Sequence, residues 1–251
     1  MIRPYYSDAA VTVFCADCLD VLPTIDSVDV VLSDPPYEVE AHTLGRRVRR
    51  GGQVCVEPLP FASIDPETRL TVARAFGRIA KRWVCVFCQV EAAHAWRLCL
   101  EDGGLVYRRT CVWVKPDGQP QLTGDRPGMG YESIVVAHHK GRSKWNGGGK
   151  TGVFIHNKGE GNGPQPHPTT KPLRLMTELV SLFTDPGELI LDPFAGSGTT
   201  GAAAKALGRR AILIEKDERH CETIVKRLAQ ESLFTAPAKK AEQAALFGGD
   251  E

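Results

Sequence analysis

A strand-like run that ends in an acid and is followed by a glycine-bearing loop and a helix limits what this chain can become. ELILD (188–192) is followed by PFAGSGTTG (193–201) and then by an alanine-rich helical stretch. Gly196, Gly198 and Gly201 satisfy G-x-G-x-x-G between strand and helix, the pattern that brings backbone N–H groups at a helix N-terminus up to a ligand. Glu215 ends the next strand, where a ribose diol would be hydrogen-bonded. Asp192-Pro193-Phe194-Ala195 stand between the strand and the glycines. The extra carboxylate suits a ligand carrying an ammonium group better than a pyrophosphate. By itself the pattern is also compatible with a glycine turn that lets helix and strand pack closely.

The rest of the chain keeps the same alternation. Apolar runs at 11–16 (VTVFCA), 28–32, 83–87, 105–114, 133–137, 189–191 and 211–214 read as strands. Helices are expected from Asp65-Pro66-Glu67 onward, with Pro at the first helical position, and at 91–100, 173–183, 200–207 and 217–233. This predicts an α/β fold with a mainly parallel sheet and helices on both faces. Residues 117–166 differ in texture. Gly, Pro, Asn and His dominate, yet Tyr131, Trp145, Val153, Phe154 and Ile155 remain available to pack, so the stretch reads as a loop-rich insert. The expected organisation is a first half at 1–116, the insert at 117–166, a second half of the same domain at 167–233, and a frayed tail at 234–251.

Composition excludes several classes. With 42% hydrophobic and 24% charged residues the bulk is not disordered. No stretch approaches ~20 uninterrupted apolar residues, and the N-terminus lacks a signal-peptide pattern, so neither a membrane span nor secretion is expected. The formal net charge is +1, so a polyanion must be held by local patches. Of the eight cysteines, Cys15/Cys18 and Cys85/Cys88 have CxxC spacing. WVCVFC reads as a strand, which turns Cys85 and Cys88 to opposite faces. No matched Cys/His pair follows Cys15/Cys18 at zinc spacing. No metal site is expected, and reduced thiols fit a cytoplasmic protein.

The 28–32 strand runs into Ser33-Asp34-Pro35-Pro36-Tyr37. Two prolines fix an extended turn without N–H donors and leave carbonyls as acceptors. A carboxylate, a carbonyl and a phenol then sit at the carboxyl end of a strand, where open α/β sheets place their ligands. Asp34 and a proline carbonyl suit the two hydrogens of an amino group, and Tyr37 suits stacking on a flat ring. A solvated Pro-Pro turn is the plain alternative.

DPPY together with DPFAGSGTTG resembles the S-adenosylmethionine-dependent DNA amino-methyltransferases, which methylate adenine N6 or cytosine N4. CADCLDVL (15–22), CVWVKP (111–116), HPTTKPLRL (167–175) and EKDERHCETIVKRL (215–228) resemble further segments of that family. The catalytic motif precedes the cofactor loop, an order resembling the β permutation class. That order implies that strand 11–16 lies beside the strand ending at Glu215. The resemblance implies a Rossmann-like methyltransferase fold with S-adenosylmethionine as cofactor. It places Asp17 and Cys18 near the cofactor adenine, Thr169 and Lys171 near its carboxylate, and Glu215 at its ribose. Asp34, Asp192, Phe194, Ala195, Gly196, Ser197, Gly198, Thr199 and Thr200 complete the cofactor set. Asp34, Pro35, Pro36 and Tyr37 form the catalytic set.

A target base within duplex DNA must be flipped out to be reached. A carbon-5 cytosine mechanism would need a Pro-Cys nucleophile, and the chain has no such dipeptide. Arg46, Arg47, Arg49 and Arg50 fall in a glycine-bearing loop just after DPPY. His139, Lys140, Arg142, Lys144 and Trp145 sit in an acid-free stretch of the insert. Both sets suit contact with double-stranded DNA. The expected activity is methyl transfer to adenine N6, with cytosine N4 as the alternative; a nicotinamide oxidoreductase or an inactive DNA-binding module are readings from other classes. A bacterial or phage origin and a cytoplasmic location are expected, and a homodimer is compatible with the sequence.

Overall fold

The computed structural model describes residues 2–37, 46–50, 53–57, 63–118, 120–122, 124, 127–162 and 170–234, with backbone alone at 46–50, 53–57 and 230–234. The tail expected to fray, from 235 onward, lies outside the described residues.

The strands are β1 (Tyr6–Ser7), β2 (Val11–Cys15), β3 (Val30–Ser33), β4 (Arg46–Arg50), β5 (Gln53–Glu57), β6 (Trp83–Cys88), β7 (Val106–Val114), β8 (Tyr131–His138), β9 (Val153–Ile155), β10 (Leu189–Asp192) and β11 (Arg210–Glu215). The helices are α1 (Cys18–Val21), α2 (Pro66–Ile79), α3 (Ala93–Asp102), α4 (Leu173–Phe183), α5 (Thr199–Ala206) and α6 (Glu218–Phe234). One sheet runs in the order β1-β2-β11-β10-β3-β6-β8-β7-β9. Strands β2, β11, β10, β3 and β6 are parallel, and β8 runs antiparallel to both its neighbours. As the motif order implied, Val11–Cys15 pairs with Ala211–Glu215.

Successive strand residues alternate between two cores, as a period of two requires. Val30, Leu32, Cys85, Ile134 and Val136 pack under α4, α5 and α6. Val31, Val84, Val86, Cys88, Val135 and Ala137 pack under α1, α2 and α3. Cys85 and Cys88 therefore lie on opposite faces, as WVCVFC predicts. Asp65 caps α2, its carboxylate accepting the Thr68 N–H at 2.9 Å, with Pro66 at the first helical position.

Within 117–166 the strand expected at 133–137 is β8, an interior strand, and Phe154 on β9 is 1% exposed. The apolar residues of the stretch were sufficient to complete the sheet. One expectation changes. The arginines after DPPY were read in a loop. Arg46–Arg50 instead forms an antiparallel hairpin with Gln53–Glu57. Tyr37 and Ile64, on either side of the stretch that carries it, are joined by a hydrogen bond from the Ile64 N–H to the Tyr37 carbonyl at 3.1 Å.

Helices α2 and α3 touch backbone to backbone. A Cβ on Gly77 would lie 1.8 Å from the Gly103 carbonyl oxygen. Gly77→Ala is therefore expected to push the helices apart and cost about 3 kcal/mol, the upper end for overpacking. Urea unfolding checks this as a lowered midpoint.

Candidate active site

The parallel sheet reverses its winding between β10 and β3. From β10 the chain crosses through α5 to β11 on one side; from β3 it crosses through α2 to β6 on the other. Carboxyl-end loops splay apart at such a switch point and leave a ligand crevice. Here the crevice is a cavity of about 810 Å³. Asp17, Cys18, Asp34, Pro35, Pro36, Tyr37, Lys171, Asp192, Phe194, Ala195, Gly196, Ser197, Thr199, Thr200 and Glu215 all line it. Thr169 lies outside the described residues. Its neighbour Thr170 lines the cavity and shares a 3.1 Å hydrogen bond with the Ser197 hydroxyl.

The glycine loop has a distinct reason at each glycine. Gly196 and Gly198 have φ of 52° and 79°, the left-handed region that L side chains rarely adopt. A Cβ on Gly201 would meet Leu213 Cδ1 at 2.6 Å, so the third glycine lets α5 pack on β11. Glu215 secures the loop from below. Its Oε2 accepts the Gly196 N–H and its Oε1 the Asp217 N–H, both at 2.9 Å. Each oxygen retains a lone pair for a further donor. At the end of β2, Asp17 caps α1 by accepting the Leu19 N–H at 2.9 Å. Burial pushes the Cys18 thiol up to about 12, so it behaves as an apolar group.

Asp192 is 3% exposed. Burial pushes its carboxyl up to about 7 against the Thr200 hydroxyl and Phe194 N–H that donate to it.

Across the crevice the DPPY turn meets a buried group of charges. Lys171 Nζ donates to Asp34 Oδ2 at 2.6 Å and lies 3.2 Å from Glu132 Oε2. The Tyr37 hydroxyl donates to Glu132 Oε1 at 3.0 Å, and Lys115 pairs with the same oxygen. Burial would raise Glu132, but Lys171 and Lys115 hold it down at about 2. Burial would lower Lys171, but Asp34 and Glu132 hold it well above the usual lysine range. Tyr37 is raised by burial and stays a protonated donor. Asp34 is raised by burial, with Lys171 opposing. Its Oδ1 has no donor among the described residues.

Sequence reasoning missed Glu132. Its signal was a lone acid at the head of an otherwise apolar strand, ESIVVAH.

His139, Lys140, Arg142, Lys144 and Trp145 are not brought to this crevice. They follow β8, whose far end His138 pairs with Trp83 at the start of β6. Six residues of strand separate His138 from Glu132, roughly 20 Å. His139 bonds the Ala80 carbonyl at 3.0 Å, Lys144 pairs with Asp185 at 2.8 Å, and Trp145 packs edge-on to Phe183. His139, Lys140, Arg142 and Lys144 line a second pocket of about 410 Å³ with Lys81, Arg82 and Glu188.

The raised Asp192 has a pH consequence. The native state holds this proton more tightly than the unfolded chain, whose aspartates titrate near about pH 4. Its contribution to stability is complete below that pH and is lost as pH rises toward about 7. Asp192→Asn should flatten stability across that window. Denaturant unfolding at a series of pH values measures it; an equal decline in both proteins would show that Asp192 ionises normally.

A family model for N6 and N4 methyltransferases, described as DNA methylase, matches residues 144–226. The type II methyltransferase M2.DpnII of Streptococcus pneumoniae is 29% identical over 258 residues, covering 92% of this chain and 94% of that protein. The M1.HpyAVI–SAM complex superposes with a TM-score of 0.66 at 24% identity, covering 87% of this chain and 99% of that one. The cytosine-N4-specific PvuII DNA methyltransferase superposes with a TM-score of 0.72 at 16% identity, covering 90% and 88%. The chain thus has the Rossmann-like sheet of these methyltransferases, and in sequence and fold it is similar to DNA amino-methyltransferases.

Proposed function

We propose that this chain methylates adenine N6 in duplex DNA, taking the methyl group from S-adenosylmethionine. The observation that carries the reading is the placement of Asp34 and the glycine loop on opposite lips of one crevice at the sheet's switch point.

The residues fit the cofactor. The cavity is within the usual range for a ligand of that size. Asp192 is a buried carboxyl whose ionised form would be favoured by an ammonium group. Glu215 has lone pairs for a ribose diol, and positive-φ glycines let the backbone approach closely. Asp17 and Cys18 would border the adenine, with Lys171 and Thr169 toward the carboxylate. When bound, the cofactor supplies an activated methyl group on a sulfonium.

An exocyclic amine is a poor nucleophile because its lone pair is delocalised into the ring. Asp34 Oδ1 and the Pro35 carbonyl would accept its two hydrogens and localise that lone pair on nitrogen. Tyr37 would stack on the flipped base. Positioning and electrostatics then account for the acceleration, with no covalent intermediate on the protein. Asp at the first motif position resembles the adenine branch. Cytosine N4 remains the second reading, supported by the structural likeness to the PvuII enzyme. Arg46, Arg47, Arg49 and Arg50 are assigned to DNA phosphates, because they follow the DPPY turn closely in sequence and cluster on one hairpin strand. The basic residues from His139 to Lys144 stand at the other end of the sheet and are not assigned to the target base.

Nucleoside mass spectrometry on DNA from cells expressing the protein tests the reading. N6-methyladenine is expected; N4-methylcytosine would select the second reading, and neither would overturn both. Asp34→Ala should lower transfer by at least ~100-fold while the protein stays folded. Glu215→Ala should weaken S-adenosylmethionine binding by about 2 kcal/mol, the worth of one charge-assisted hydrogen bond. Calorimetry with unchanged affinity would remove Glu215 from the ribose.

A further inference from the structure

Glu132 is buried, charged and absent from the cavity lining, so it reaches the ligand site only through its neighbours. Its Oε1 accepts from the Tyr37 hydroxyl at 3.0 Å and pairs with Lys115. Its Oε2 accepts no hydrogen bond and lies 3.2 Å from Lys171, which itself donates to Asp34. One ammonium is thus shared by two carboxylates. With all four ionised, Lys115 and Lys171 balance Asp34 and Glu132, and the buried group is neutral.

The arrangement bears on what Asp34 presents to an incoming amine. A Lys171 bound to Asp34 alone would draw the carboxylate toward itself. Glu132 competes for the same ammonium, so Lys171 holds Oδ2 in place while Oδ1 keeps no donor among the described residues. The same residue tethers the Tyr37 ring by its hydroxyl. A buried carboxylate needed only to neutralise Lys115 would require neither contact.

We propose that Glu132 is a positioning residue for methyl transfer, fixing the Tyr37 ring and dividing Lys171 between itself and Asp34 so that Asp34 Oδ1 stays open to the target amine. This rests on the reading of DPPY as the amine-binding turn.

The test is steady-state methyl transfer from labelled S-adenosylmethionine to unmethylated plasmid DNA. Three proteins are compared: wild type, Glu132→Gln, and the double variant Glu132→Gln/Lys115→Met. The double variant removes one charge of each sign, so it keeps the buried group neutral. Both variants should lose ~10–100-fold in kcat, the usual cost of removing a supporting partner at a site. Their KM for S-adenosylmethionine should stay within about threefold of wild type, since lost positioning acts on the transition state rather than on ground-state binding. The double variant should still melt cooperatively.

Recovery of wild-type kcat in the double variant would overturn the proposal, because Glu132 would then serve only to neutralise Lys115. A loss confined to KM, or a double variant that no longer folds, would equally overturn it. A wild-type protein that methylates no base in this DNA would overturn the transfer reading itself, and the role of Glu132 with it.

Discussion

Lys171 is the residue on which the two halves of this molecule converge. It comes from the segment before α4, while Asp34 comes from the end of β3, 137 residues earlier in the chain. Burying an ammonium is costly unless it is paired and hydrogen-bonded. Lys171 meets that cost with two carboxylates and with the face of Phe87, 5.1 Å away. Its own backbone is tied as well, since the Asn162 side chain donates to the Lys171 carbonyl at 2.9 Å. The DPPY turn and the segment before α4 are thereby held to one charge, and neither can move without stranding it.

The contrast between the two acidic turns follows from their surroundings. Asp34 is raised by burial, but its lysine partner opposes the rise. Asp192 has only a hydroxyl and an N–H, and burial wins. Two aspartates at neighbouring strand ends thus differ in counterion before any ligand arrives. A cationic ligand would remove the difference by giving Asp192 the counterion that it lacks.

Much of this was legible in the sequence, because strand-loop-helix motifs are local. DPPY, the glycine loop and Glu215 each sit where their own strand ends, so their positions followed once the strands were read. Parallel pairing of β2 with β11 also followed, from motif order. Glu132 was not legible as a partner of Tyr37, since that contact spans 95 residues and depends on the register of β8. The distance of His139, Lys140, Arg142, Lys144 and Trp145 from the crevice has the same origin. Their basic, aromatic texture was correct, and the strand before them was recognised. Its direction was not readable, and an antiparallel strand delivers the residues after it to the end of the sheet away from the crevice.

The pairing of β2 with β11 also sets an order of events during synthesis. Val11 meets Ala211 two hundred residues later in the chain. At bacterial and eukaryotic elongation rates, β2 waits roughly 10–40 s for its interior neighbour to leave the ribosome. Until then its partner among the described strands is the two-residue β1, on its other edge. An apolar strand with one open edge is a template for pairing with other chains. Nascent-chain protection by chaperones, rather than the stability of the finished sheet, would then govern how much of this protein reaches its native state in a cell.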